Sequence, residues 1–188
     1  SQFHNMKIGT IADLIHWRRE NDRFLERRVE SVLNSTYGDG FKTVCFRNVL
    51  DNSEYIAIVH GEIKPDSTTI VRVHHPDVLS DILGETGPRQ GLVEKAMRTI
   101  AEADGPGVIV FVNTMRPNVL AERLGLKSDT PRDPSAPLRE YGIGAQILRE
   151  LGVRKMTFLS DTQPTRVAGL DGYGLTIEGW RRLNEETN

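Results

Sequence analysis

The apolar positions of this chain change period once near its start and change their arrangement again halfway along. In "GTIADLIHWRRE" (9–20), Ile11, Leu14 and Ile15 recur at helical spacing behind Thr10, a suitable N-cap, which predicts a helix. Four strands are predicted next: "RRVESVLNST" (27–36), "KTVCFRNVL" (42–50), "EYIAIVHGEI" (54–63) and "TTIVRVHH" (68–75). The separators "GDG" (38–40), "DNS" (51–53) and "KPDS" (64–67) are short and turn-forming. Links this short predict hairpin-like, antiparallel connections through the first half.

The second half alternates helix with strand. "GLVEKAMRTIAEAD" (91–104) sets Leu92, Ala96, Ile100 and Ala103 along one helical face. "PGVIVFVN" (106–113) is apolar without alternation, the pattern of a strand covered on both faces. A helix over 139–152 and strands over 155–160 and 173–180 follow, separated by Gly/Pro-rich turns. The three prolines of "KSDTPRDPSAP" (127–137) predict an exposed loop. Such an order predicts a layered α/β domain, and no internal repeat is present.

Composition narrows the partners. With 24 Lys+Arg against 26 Asp+Glu, the net charge of −2 gives no global field for nucleic acid or anionic membrane. The longest apolar run, "GVIVFV" (107–112), is far too short to span a bilayer. The start "SQFHNMKIGT" lacks the basic-then-apolar order of a signal peptide, so the expected location is the cytoplasm. It also lacks an initiating methionine, which suggests a piece of a longer protein. One cysteine, Cys45, excludes an intrachain disulfide and any site needing several thiolates; a small core residue is the expected role.

Three places carry candidate chemistry. "VRVHHPDVLSD" (71–81) brings His74, His75, Asp77 and Asp81 to a strand end, all possible metal ligands. Neighbouring strand residues point to opposite faces, so His74 and His75 are poorly placed to hold one ion, and hydrogen-bonded strand-end polarity is the simpler reading. "SDTQPTR" (160–166) follows a buried strand, a usual ligand position in open α/β sheets, with a polar turn as the alternative. Arg139 opens a predicted helix, where a cation opposes the helix dipole and calls for an anion or a buried partner.

The stretch "REYGIGAQILRELGVRKMTFLSDTQPTRVAGLDGYGLTI" (139–177) closely resembles the C-terminal part of the GTP cyclohydrolase II family. "YIAIVHGEI" (55–63), "VRVHHPDVLSDILG" (71–84) and "VEKAMRTIAEADGPGVIVFV" (93–112) resemble its earlier strands and helix, so the likeness covers roughly 27–180. Residues 4–20 resemble the join in bifunctional riboflavin-biosynthesis proteins, where a 3,4-dihydroxy-2-butanone 4-phosphate synthase domain comes first. The resemblance implies a linker or helix over 1–20 and a domain over 21–188. It also implies a three-layer αβα fold with a mixed, largely antiparallel sheet.

Family enzymes open the imidazole ring of GTP and release formate and pyrophosphate, using zinc held by three cysteines to make water nucleophilic. Against that pattern, Asp77 stands where the first cysteine belongs, and the other two places fall near Gly87 and Arg89. Glycine has no ligand atom and arginine repels a cation, so no zinc is expected. The family's guanine-holding loop reads "NTMRPNVLA" (113–121), with Met115 near the place of its glutamate. Its Asp-x-Arg pair becomes Pro137-Leu138-Arg139, or else aligns on Asp129 or Arg132. Ser160 matches a family threonine and Arg166 stands near its lysine.

The expectation is a cyclohydrolase II fold without cyclohydrolase activity, self-associating as a homodimer and supporting or regulating an attached synthase domain. Two alternatives stay open. One is an active enzyme with a rearranged site on His74, His75 and Asp77. The other is a nucleotide or flavin sensor with a phosphate pocket on Arg139, Ser160 and Arg166.

Overall fold

The computed structural model describes residue 17 and residues 24–112, 119–125, 136–162 and 170–183. The helix predicted over 9–20 lies outside this set except for Trp17, which is helical. Seven strands form one sheet: β1 (Leu25–Ser35), β2 (Gly38–Asn48), β3 (Glu54–His60), β4 (Thr68–His74), β5 (Gly107–Phe111), β6 (Lys155–Leu159) and β7 (Thr176–Arg181). The described α-helices are α1 (Leu92–Ala101), α2 (Val119–Arg123) and α3 (Ala136–Glu150).

The sheet order is β1-β2-β3-β5-β4-β6-β7. β1, β2, β3 and β5 pair antiparallel, whereas β5, β4, β6 and β7 pair parallel. The expected mixed sheet is therefore observed, its antiparallel part built from the two hairpins and the longer ladders. The hairpin expected between the third and fourth strands does not form, because β5 inserts between them. Its unbroken apolar run explains why. Gly107 to Val110 are all buried, so the segment loses most free energy if left at an edge and gains most in the middle.

Alternation along the strands builds the two faces. Val44, Phe46, Ala57, Val59, Val108 and Val110 face α3, which contributes Ala145, Ile147 and Leu148. Phe41, Ile58 and Ile109 face α1, which contributes Leu92, Ala96, Met97 and Ile100. Helices on both faces give the three layers. Gly107 is what lets α1 approach: a Cβ there would lie 2.2 Å from Ile100 Cγ2. The third helix starts at Ala136, ahead of the expected 139, with Pro137 in its first turn, where a missing N–H costs nothing.

The order also reverses direction at β4. From β4 the chain passes over the α1 face to β5, then returns by the α3 face to β6 on β4's other side. The carboxyl ends of β4, β5 and β6 thus meet at a switch point, the usual place for ligands in such sheets.

Candidate functional site

β4 delivers two polar side chains to this end. Its alternation sends Thr69 and Val71 to the α3 face and leaves Arg72 and His74 on the other, all four buried. His74 is 2% exposed and packs edge-on against Phe111, with centroids 5.6 Å apart. Its Nε2 lies 2.8 Å from Asp81 Oδ2, the arrangement of an N–H donating to a carboxylate. The same oxygen accepts the Asp77 backbone N–H at 2.7 Å. Burial holds the His74 pKa below its ordinary value, and the Asp81 bond opposes that shift.

Pro76 follows the strand and cannot donate to a ladder, so β4 ends at His74. The chain then makes one π-helical turn, Val78–Ile82, capped by Asp77, whose Oδ1 accepts the N–H groups of Leu79 (3.0 Å) and Ser80 (3.1 Å). Asp77 Oδ2 accepts Arg123 Nε at 2.8 Å, from α2. Arg123 Nη2 pairs with Glu85. Hydrogen bonding from Arg123 holds Asp77 well below the usual carboxylate range, reinforced by the Ser80 N–H. Arg89 donates to the His75 carbonyl at 2.8 Å.

Arg72 is the unusual group. It is buried, its Nη1 donates to the Leu159 carbonyl at 3.3 Å, and its Nε has no hydrogen-bond partner among the described residues. Asp161 offsets part of the cost of burying its charge. Ser160 sits beside it at the end of β6, its hydroxyl accepting the Thr162 N–H at 3.3 Å and its carbonyl accepting Trp180 Nε1 at 2.8 Å.

The structure brings Arg72, His74, Asp77, Asp81, Arg89 and Ser160 to one end of the sheet. It does not make a metal site of them. His74 is committed to Asp81, and Asp77 to backbone amides and Arg123. Among the described residues no group of three His, Cys, Asp or Glu side chains could hold a metal. At the zinc-ligand positions implied by resemblance, Asp77 is ion-paired, Gly87 offers nothing and Arg89 is cationic; these residues do not fit zinc. Cys45 lies elsewhere, on β2. Of the expected phosphate pocket, Arg139, Ser160 and Arg166, only Ser160 can be located: Arg166 lies outside the described residues, as does the side chain of Arg139 within α3; Met115, Asp129 and Arg132, candidates for other family positions, lie outside them too. Sequence reasoning missed Arg72 and Arg123. Arg72 carried a signal, a lone charge inside "TTIVRVHH"; Arg123 carried none, its partners being 46 and 38 residues away.

Residues 26–182 match the model of a family described as GTP cyclohydrolase II. A chloroplastic Arabidopsis thaliana protein, named a monofunctional riboflavin biosynthesis protein, is 39% identical over 186 residues, which cover 95% of this chain and 38% of that protein. A Photobacterium phosphoreum protein named 3,4-dihydroxy-2-butanone 4-phosphate synthase is 35% identical over 176 residues, 93% of this chain and 48% of that one. Among solved structures, the two-domain 3,4-dihydroxy-2-butanone 4-phosphate synthase RibBX of A. baumannii aligns with a TM-score of 0.59 and 29% identity, covering 96% of this chain and 47% of that chain. The chain therefore spans less than half the length of each of these relatives.

Proposed function

Since the chain belongs to the GTP cyclohydrolase II family, we propose that it is the second half of a riboflavin-biosynthesis fusion and no longer turns over GTP. The preceding half would be a 3,4-dihydroxy-2-butanone 4-phosphate synthase domain, with residues 1–20 as the join and 21–188 as this domain. Its role would be to support or regulate that synthase, with homodimer contacts contributing.

The observation carrying this reading is the state of Asp77. Its two carboxylate oxygens are engaged by the Leu79 and Ser80 amides and by Arg123. A guanidinium thus already neutralises the group standing in a zinc-ligand position, and Arg89 adds a second positive charge nearby. Recruiting a dication there would require breaking the ion pair and overcoming that repulsion. Two of the relatives described above are themselves named as the synthase alone, which suits a second half with another role.

The test compares the synthase domain alone with the full fusion for synthase activity, melting temperature and mass in solution. The fusion is expected to be more stable, more active, or more highly assembled. Three identical values would overturn the supporting role.

A second reading, a sensor of a nucleotide or flavin phosphate, is favoured by one observation: the buried Arg72 with its unpartnered Nε. A buried guanidinium with spare donors is costly unless an anion completes it. Inorganic pyrophosphate should then raise the melting temperature of the wild type and leave an Arg72→Met variant unmoved. No shift in either protein would remove this reading.

A further inference from the structure

Among the described residues, one row of the sheet is left open on the face that carries α1. Val29, Cys45, Ile56 and Phe111 stand opposite one another across β1, β2, β3 and β5. Helix α1 covers the rows below, around Phe41, Ile58 and Ile109; Phe111 packs against the edge of that cluster, whereas Val29 and Ile56 are not part of it. Val29 is 59% and Ile56 43% exposed, with Cys45 and Phe111 half-buried. Side by side on four adjacent strands, they make an apolar band about 14 Å long. Beyond it, toward the sheet end, the same face carries Glu26, Arg47 and Glu54.

We propose that this band is the docking surface of the chain's own segment 9–20, lying across it as a second helix beside α1. Three observations point to that occupant. First, the segment has the matching stripe, Ile11, Leu14 and Ile15, and twelve residues of helix span about 18 Å, enough to cross four strands. Secondly, the chain enters β1 at Leu25, at the same sheet end as the band. Val29 lies four residues in, about 13 Å along the strand, a distance that the residues linking 20 to 25 can retrace. Thirdly, the charges agree. Arg18 continues the apolar stripe by one turn toward β1, which would bring it near Glu26 at the band's margin. Trp17, off the stripe, is helical and 57% exposed, as the flank of a docked helix would be.

The consequence is positional. Phe111 also contacts His74, so a helix on this band would sit beside the His74–Asp81 pair. Anything preceding residue 9 would be carried to the switch-point end of the sheet. The proposal stands whether or not GTP turnover survives.

Cys45, the single cysteine of the chain, lies in the band and reports its cover directly. The measurement is the rate at which a thiol reagent modifies Cys45 in the 188-residue chain, across a range of protein concentrations. Leu14→Asp and Ile15→Asp should each speed the reaction roughly tenfold or more, because a buried apolar contact is replaced by a charge. Arg18→Glu should speed it less, and the wild-type rate should not change with concentration. A second arm guards against misfolding: Ile15→Cys should be joined to Cys45 within one chain by a short bis-maleimide. Equal rates in all variants would mean an open band and would overturn the proposal. Protection that grows with concentration and ignores the variants would assign the band to a second copy, overturning it equally. Absence of the intrachain cross-link would do the same.

Discussion

Replacing Asp81 with alanine tests the reading of the β4 end as a built polar core. One carboxylate oxygen there accepts both the His74 ring and the Asp77 backbone amide. Alanine removes both bonds and leaves His74, 2% exposed, without an acceptor for its Nε2 proton. A hydrogen bond to a charged acceptor is worth ~1.5–3 kcal/mol and a buried orphan donor costs ~1–3, so the loss should be about 2–4 kcal/mol. For a chain of this size that lowers the melting temperature by roughly 5–12 °C. Asparagine can place its carbonyl oxygen where Oδ2 sits and keep both bonds, giving up only the charge, for about 1 kcal/mol. Urea denaturation at pH 8 measures these differences with His74 neutral. Because burial lowers the His74 pKa, the stability tied to its neutral form is complete above pH ~6.5 and is lost as pH falls through the depressed value. Acidification toward pH 5 should therefore destabilise the wild type. A loss below about 0.5 kcal/mol for alanine, or equal losses for alanine and asparagine, would refute the reasoning.

Asp77→Ala removes the cap of the turn after β4 and should cost about 1 kcal/mol at neutral pH. Since the Asp77 pKa is depressed, its contribution is present above pH ~4 and lost as pH falls further, so wild type and variant should converge in acid denaturation. Gly107→Ala should cost about 1–3 kcal/mol in thermal melts, because its Cβ would meet the stiff Ile100 side chain and push α1 off the sheet.

The strands were legible where one face is buried and the other is wet. Val44 and Phe46, buried between the half-buried Thr43, Cys45 and Arg47, mark β2 by alternation, and the continuous run of β5 marked it as central. Strand order was less legible, because which edge β5 enters depends on burial available only after the hairpins and helices meet. The polar end of β4 was legible as composition: "HHPD" announced strand-end polarity, and Pro76 announced the stop. What joins those groups was not. Arg123 meets Asp77 across 46 residues, and neither residue's local sequence names the other. The π-helical turn Val78–Ile82 was invisible for a different reason: it is held by the Asp77 cap and by Leu83 reaching back to Val78 rather than by an apolar period.

The proposed loss of cyclohydrolase chemistry rests on the residues that stand in place of the family's zinc ligands. Formate release from GTP, followed with added zinc on protein whose metal content is measured in the same sample, tests it most directly. The expected result is no stoichiometric zinc and formate release equal to a protein-free control. One zinc per chain with formate release well above that control, both abolished by Asp77→Ala, would contradict it.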